Sequence, residues 1–321
     1  MNTTWKVDFE HADQRLDVFL SEMLPGLSRS AIAKLLKQGA GLVNDKPASV
    51  HRFLKQGDKV RFELNIATDT KVSAKTVKSN SRFQIPNSRF SFQEMIVQET
   101  PDWIVIDKPA GLMVHPDAKQ KTGTLVDLIV SHDPAIAKVG EDPERPGIVH
   151  RLDRDVSGLM VIAKNQKTFD SLKSQFAKHQ TSKAYLALIY GLPAQDEGDI
   201  KFRIARSTSK PRMAARPANE NEGKAAWTHY KVLKKFKNAS LVRAEIISGR
   251  THQIRAHFHA LGHPVIGDRL YTHKKIKQIP AGRIMLQSVS LDFIDPKTNE
   301  PLHFDLKTDQ SFDILIQNKL K

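Results

Sequence analysis

Between residues 66 and 93 the aliphatic periodicity of this chain stops, and that break limits how much of it can share one core. The stretch is rich in Lys, Ser, Thr and Asn, and it carries Pro86. A segment with so little to bury cannot offset the entropy of ordering, so it reads as a linker or loosely ordered arm. Ahead of it lies a short module, residues 1–65. Behind it lies residues 94–321, long enough for a complete enzyme domain. Cysteine is absent, which removes disulfides, thiol nucleophiles and Cys-ligated metals together. No apolar run reaches the roughly 18 residues of a membrane span. The opening MNTTWKVDFE lacks a signal-peptide core, so a cytoplasmic protein is expected. Lys and Arg number 50 against 35 Asp and Glu, a net charge of +15. Such an excess aids solubility, but across two domains it also favours a polyanionic partner, nucleic acid above all.

In the first module Leu16, Phe19, Leu20, Met23 and Leu24 fall on one helical face, with Asp13 as a candidate cap and Pro25-Gly26 as the stop. Ser28 opens a second helix, with Gly39 just past its end. Ile32, Leu35 and Leu36 share its apolar face, while Lys34 and Lys37 lie opposite and Arg29 at the border. Leu42 to Pro47 reads as a strand entering a turn, and Lys59 to Leu64 alternates as a half-buried strand. A basic helix face alone is usually only solvated. Combined with R-L-D-V-F-L from Arg15, S-R-S-A-I-A-K-L-L-K-Q-G from Ser28, V-N-D-K-P from Val43 and G-D-K-V from Gly57, it resembles the S4 RNA-binding domain. That resemblance implies that Arg29, Lys34, Lys37 and Lys46 meet RNA phosphates, contacts that position without reading sequence.

The longer part mixes strand and helix signals. Trp103–Ile106, Leu112–Val114, Leu159–Ala163, Tyr185–Tyr190 and Leu241–Ile247 read as strands. Leu125, Leu128 and Ile129 mark one helix; Phe169, Leu172 and Phe176 mark another. Clean crossovers are few, so the expected class is α+β, with a mixed, mainly antiparallel sheet. Neither G-x-x-x-x-G-K-[ST] nor a strand-to-helix G-x-G-x-x-G occurs, so no nucleotide cofactor is expected. The histidines between His252 and His263 lack metal-ligand spacing on one helix face, so no metal is expected either. Arg255, between Ile254 and Phe258, is either a snorkelling surface charge or a guanidinium held near the core by a buried carboxylate. Arg203, Arg206, Lys210, Arg212 and Arg216 read as a basic loop, a solvated surface or an RNA-gripping arm. The segment 147–164, with H-R-L-D-R-D-V-S-G-L at its centre, is a charged loop feeding a buried strand. Ser157 and Gly158 there allow another backbone to approach closely.

H-R-L-D-x-x-x-S-G-L at 150–159, K-A-Y-L-A-L-I-Y-G at 183–191, and S-G-R-T-H-Q-I-R-A-H-F-H-A-L-G-H-P-V-I-G-D-R-L-Y at 248–271 occur in this order, with D-K-P-A-G-L at 107–112 and G-T-L-V at 123–126. Together they resemble the RluA family of RNA pseudouridine synthases, and the V-H-P and G-T-L-V-D-L pieces resemble its RluD-like branch. The resemblance spans nearly the whole chain. It implies an S4 (αL-type) module at residues 1–65, a linker at 66–93 and a pseudouridine synthase domain at 94–321.

What the resemblance implies for chemistry is specific. Asp153 is the essential catalytic residue. Tyr185 stacks on the target uracil and can help remove the C5 proton. Arg255 pairs with Asp153 and aims it, and Arg151 helps fill the space left by a displaced base. Val156 and Ser248 stand where the family usually has Thr, which touches fine substrate choice rather than the acid. The reaction detaches uracil at N1, turns it and rejoins it through C5. It needs no redox change, energy input, metal or other cofactor. Asp153 can serve as nucleophile or base. The expected partner is large-subunit (23S) ribosomal RNA, the expected state a cytoplasmic monomer with no membrane association. Alternatives are a catalytically silent RNA-binding assembly factor, a synthase acting on transfer RNA, and an S4-bearing methyltransferase.

Overall fold

The computed structural model describes residues 2–24, 32–33, 35–36, 39–50, 52–63, 90–117 and 120–320. Arg29, Lys34 and Lys37 lie outside these, as does almost all of the stretch expected as a linker. The chain divides into two compact units, residues 1–79 and 80–321. No helix among the described residues is long and apolar enough to cross a membrane.

The first unit holds strands β1 (Asn2–Lys6), β2 (Gly41–Val43), β3 (Lys46–Pro47) and β4 (Lys59–Glu63), all antiparallel, in the order β1-β4-β2-β3. Helix α1 (Leu16–Met23) buries Leu16, Phe19 and Leu20 against Val43, Leu54, Val60 and Phe62. Asp13 does not cap it. Arg15 is the N-cap, because the chain just before the helix pairs with the segment at Phe53: Arg15 bridges Phe53, and the Leu16 N–H donates to the Arg52 carbonyl. The β2–β3 hairpin turns on Asn44 and Asp45, both at positive φ, as a two-residue turn requires. Asn44 earns its place twice, since its amide donates to Asp58 Oδ1 and its carbonyl accepts the Lys59 N–H.

In the second unit one mixed sheet runs β5 (Ile96–Glu99), β6 (Trp103–Lys108), β7 (Ser157–Ala163), β15 (Leu286–Ile294), β8 (Ser182–Tyr190), β14 (Ala239–Ile246), β13 (Thr228–Lys235), β9 (Glu197–Ile200), with β16 (Pro301–Asp305) pairing the far half of β15. Every pairing is antiparallel except β7 with β15. Its strands β6 and β7 are almost wholly buried, and their apolar side chains form the main core with those of β8 and β14. Phe92, on the short helix α2 (Phe92–Met95), packs into that core. Helix α3 (Leu125–His132) begins with a capping box in which Thr124 and Asp127 exchange bonds. Asn165 caps α4 (Gln166–Ala177). Helices α5 (Gln253–Ala260) and α6 (Gln310–Lys319) complete the set used below.

In this unit two further expectations fail, one wholly and one in part. Leu112–Val114 is not a strand: the carbonyls of Met113 and Val114 accept the first N–H groups of α3, which a ladder partner would otherwise take. The basic stretch after Phe202 is a loop only in part, at Lys210 and Arg212. Arg203 and Arg206 lie on β10 (Arg203–Arg206) and Arg216 on β11 (Met213–Arg216), which with β12 (Lys224–Ala225) form a small antiparallel sheet. Ile204 and Ala226 there pack against Ala256 and Tyr271.

Candidate active site

The strand order explains why distant motifs meet. Ser288 on β15 pairs with Gly158 on one side and with Tyr185 on the other. Gly158 sits at φ +116°, and a Cβ there would lie 2.1 Å from the Ser288 carbonyl oxygen, so only glycine admits this approach. The loop that enters β7 therefore ends beside Tyr185, and Asp153 is on that loop. The loop is clamped from below. Lys108, fully buried, donates through Nζ to the carbonyls of Pro109, Leu112 and Arg154, at 3.0, 3.0 and 3.1 Å. Burial pulls its pKa down to about 7 against the attraction of Asp153, Asp155 and Asp107. Three carbonyl acceptors suit the ammonium, which has three protons to give.

Arg255 rises from α5 and meets two carboxylates. Its Nη1 donates to Asp153 Oδ2 at 2.8 Å; its Nε and Nη2 donate to Asp268 Oδ2 and Oδ1 at 2.7 and 3.0 Å. The Asp268 side chain is fully buried and also accepts the N–H groups of Leu270 and Tyr271. Asp153 retains 19% exposure. Burial works against charge on Arg255, but Asp268, then Asp153, outweigh it and raise its pKa further. Of the two sequence readings of Arg255, the buried-carboxylate one describes the molecule, and the carboxylate that buries it is Asp268.

Asp153, Arg255 and Tyr185 line one open cleft, together with the polar Arg151, Arg250 and His252 and the apolar Val156, Ile246 and Leu286. Burial, reinforced by Asp153, pushes the Tyr185 phenol well above its usual pKa, although a bond with Ser288 opposes this. Arg151 is exposed and donates to His115 Nε2, whose Nδ1 faces the Pro116 carbonyl at 3.0 Å. Three residues before the acid, His150 is structural: its Nε2 accepts the Val161 N–H at 3.0 Å and its ring stacks on Phe176. Ser248 holds Gln253, the first residue of α5, through a 2.8 Å bond, so its hydroxyl serves the helix start.

The three residues expected to act together, Asp153, Tyr185 and Arg255, thus share the cleft, with Arg151 at its edge. Lys46 lies exposed on β3 in the other unit. Sequence reasoning missed Asp268, Lys108 and the place of His252 in the cleft. Asp268 stood inside the quoted G-D-R-L-Y run. A lone acid in a turn gives no periodic signal, and its partner is 13 residues away. The sequence clue was the Gly267 beside it, which the structure places at φ +79° with the Arg283 carbonyl where a Cβ would stand. Among the described residues no cluster of three or more His, Cys, Asp or Glu is placed to hold a metal ion.

Comparison with known proteins falls on these same segments. The RNA pseudouridylate synthase model matches residues 102–260 and the S4 domain model residues 14–60. An uncharacterized RNA pseudouridine synthase of Aquifex aeolicus is 36% identical over 314 residues, covering 94% of this chain and 93% of its own. The ribosomal large subunit pseudouridine synthase D of Neisseria meningitidis serogroup A is 34% identical over 309 residues, covering 93% and 77%. Among solved structures, human RNA pseudouridylate synthase domain containing 1 superposes with a TM-score of 0.55 at 25% identity, over 69% of this chain and 92% of that one. Since the matched region carries Asp153, Tyr185 and Arg255, and relatives align along nine-tenths of the sequence, this chain belongs to the RluA family of RNA pseudouridine synthases, in its RluD-like branch, with an S4 domain ahead of the enzyme.

Proposed function

We propose that this synthase acts on uridines of large-subunit (23S) ribosomal RNA and that Asp153 is its catalytic carboxylate. The observation that carries the reading is the 2.8 Å bond from Arg255 Nη1 to Asp153 Oδ2 in a cleft lined also by Tyr185. A guanidinium clamped on a buried second carboxylate has one free edge, and that edge sets the direction of Asp153. The ribosomal target is supported by relatives named ribosomal large subunit pseudouridine synthase D, at 31–35% identity, and by the net charge of +15.

The target uridine leaves its stack to enter the cleft, at the cost of unstacking energy. Arg151, at the rim, occupies the vacated space. The N1–C1′ bond breaks, the uracil turns, and C5 bonds to C1′. Asp153 acts on the sugar or base as nucleophile or base. Tyr185 offers its ring face to the freed uracil, and its phenol stays protonated. Ile246, Leu286 and Val156 keep water from the cleaved state. Uridine and pseudouridine contain the same atoms at the same oxidation level, so the reading requires no cofactor. It has the enzyme working as a cytoplasmic monomer.

The test is tritium release from RNA labelled at uracil C5, comparing wild type with Asp153→Asn on large-subunit ribosomal RNA and on transfer RNA. Release by wild type only, from the ribosomal RNA, is expected. Release from transfer RNA alone overturns the target. Tight binding without release by wild type makes the protein a silent RNA-binding factor, and release by Asp153→Asn at the wild-type rate removes Asp153 from the chemistry.

A further inference from the structure

The isomerisation moves a proton off C5, a step for which the family resemblance offers Tyr185. Once C5 is bonded to C1′, C5 still carries its hydrogen, and the ring becomes pseudouridine only when that hydrogen leaves. A base in the cleft must take it. The lining side chains can be sorted by whether they accept a proton. Arg151, Arg250 and Arg255 have donors only. Burial keeps the Tyr185 phenol protonated, so it has no strong lone pair to offer. The Gln253 amide is spent on Ser248, Trp227 and Thr228. Asp153 and His252 remain.

His252 is held in a manner that leaves one nitrogen free. It is the N-cap of α5, at φ +55°, yet its side chain does not cap the helix. Positive φ is uncommon outside glycine, although Asn, Asp and His enter it more readily than others. The turn aims the ring into the cleft. Its Nδ1 lies 3.1 Å from the Tyr271 hydroxyl. That hydroxyl already accepts the Met213 N–H and faces the Met213 carbonyl, each at 3.0 Å. All three contacts are satisfied together when Tyr271 donates to Met213 and His252 Nδ1–H donates to Tyr271. The Nε2 atom is then bare. It stands 3.7 Å from Asp153 Oδ2, with the ring 20% exposed towards the cleft. Asp153, Arg255, Asp268 and Arg151 surround it, and burial together with the two arginines outweighs the carboxylates, so the imidazole's pKa is lowered.

From this geometry we infer that His252 Nε2 is the base that removes the C5 proton, with Tyr271 as the positioning residue that fixes its tautomer. The inference rests on the synthase reading of the same cleft. The C5–H bond breaks and its proton goes to Nε2. Its electron pair restores the C5=C6 double bond, and the pair displaced onto N1 takes up a proton from the imidazolium or from solvent. Nothing is gained or lost overall. Asp153 is thereby left to the sugar side of the reaction, and two groups 3.7 Å apart divide the work.

The experiment is single-turnover pseudouridine formation on RNA carrying hydrogen or deuterium at uracil C5. His252→Asn and His252→Gly both tolerate the left-handed backbone. Each is expected to be slower by roughly 10²–10⁴-fold, the usual worth of a positioned general base. Each is expected to show a primary deuterium effect larger than that of wild type, and free imidazole restores the glycine variant. Tyr271→Phe keeps the ring at His252 but frees Nδ1, and shows a smaller rise in the same isotope effect. A slowed variant whose isotope effect matches wild type, with no imidazole rescue, overturns the inference and makes His252 structural. An unchanged rate overturns it as well. Absence of pseudouridine from wild type instead defeats the synthase reading, so the two failures are distinct.

Discussion

Arg255 is bound more fully to Asp268 than to Asp153: two guanidinium nitrogens go to the former and one to the latter. The bidentate bond with a fully buried partner is the anchor, and the single bond is the presenting edge.

The asymmetry separates stability from activity. Asp153→Asn leaves Arg255 on Asp268, so unfolding free energy changes by no more than about 1 kcal/mol. Activity falls by at least ~10³-fold if the carboxylate is part of the chemistry. Asp268→Asn removes one partner of a buried pair and is expected to cost about 3–5 kcal/mol. It slows catalysis as well, because the edge facing Asp153 is no longer fixed. Urea unfolding and single-turnover rates on both variants test this. Equal stability losses would show that the two carboxylates are equivalent supports.

Gly158→Ala attacks the join between strands. The added Cβ would lie 2.1 Å from Ser288 O and 2.6 Å from Ser288 N, backbone atoms that cannot swing aside. Either β7 parts from β15 or the sheet shifts, and both separate the Asp153 loop from Tyr185. The cost is expected to reach at least about 2–3 kcal/mol, with φ +116° adding its own strain. A variant with wild-type stability and rate would show that the parallel contact is not what aligns the site.

How much of this was readable beforehand depends on whether the signal was local. The buried strand after Asp153, the helices at Leu125 and Phe169, and the strand carrying Tyr185 announce themselves through runs and periods within a few residues. The meeting of Asp153 with Arg255 does not, and came only from resemblance. Met113 and Val114 are apolar enough for a strand, yet their carbonyls were claimed by a helix that starts eleven residues later; sequence shows no such claim. The basic sheet was hidden because strands of four residues joined by Ser, Pro and Asn are too short to display alternation. His252 was weighed only against metal-ligand spacing, since its partners Asp153 and Tyr271 come from other segments.

His150 is expected to make the fold sensitive to acid. Burial holds its imidazole at about 3, against about 6.5 in the unfolded chain. Below the unfolded value the unfolded state takes a proton that the folded state refuses. Stability therefore declines as pH falls from about 6.5 towards 3 and is unaffected by this group above that window. His150→Gln keeps an acceptor for the Val161 N–H but does not titrate. Its unfolding free energy, measured by urea titration across pH 3–7, should fall less steeply than that of wild type. Parallel slopes would assign the acid sensitivity to other groups.

Lys46 offers a test of the S4 domain that leaves the active site untouched. It stands exposed at the start of β3, next to a tight turn, and its side chain has no role in the module's core. If it meets an RNA phosphate, Lys46→Ala weakens binding without altering folding, and does so equally for RNAs of different sequence. Each phosphate contact releases condensed counterions, so the slope of log affinity against log salt should become shallower by about 0.7–0.9. Filter binding at several salt concentrations reads both effects, and single-turnover rates at saturating RNA should remain at the wild-type value. Weaker binding with an unchanged salt slope would mean that Lys46 acts on the shape of its hairpin and not on phosphate.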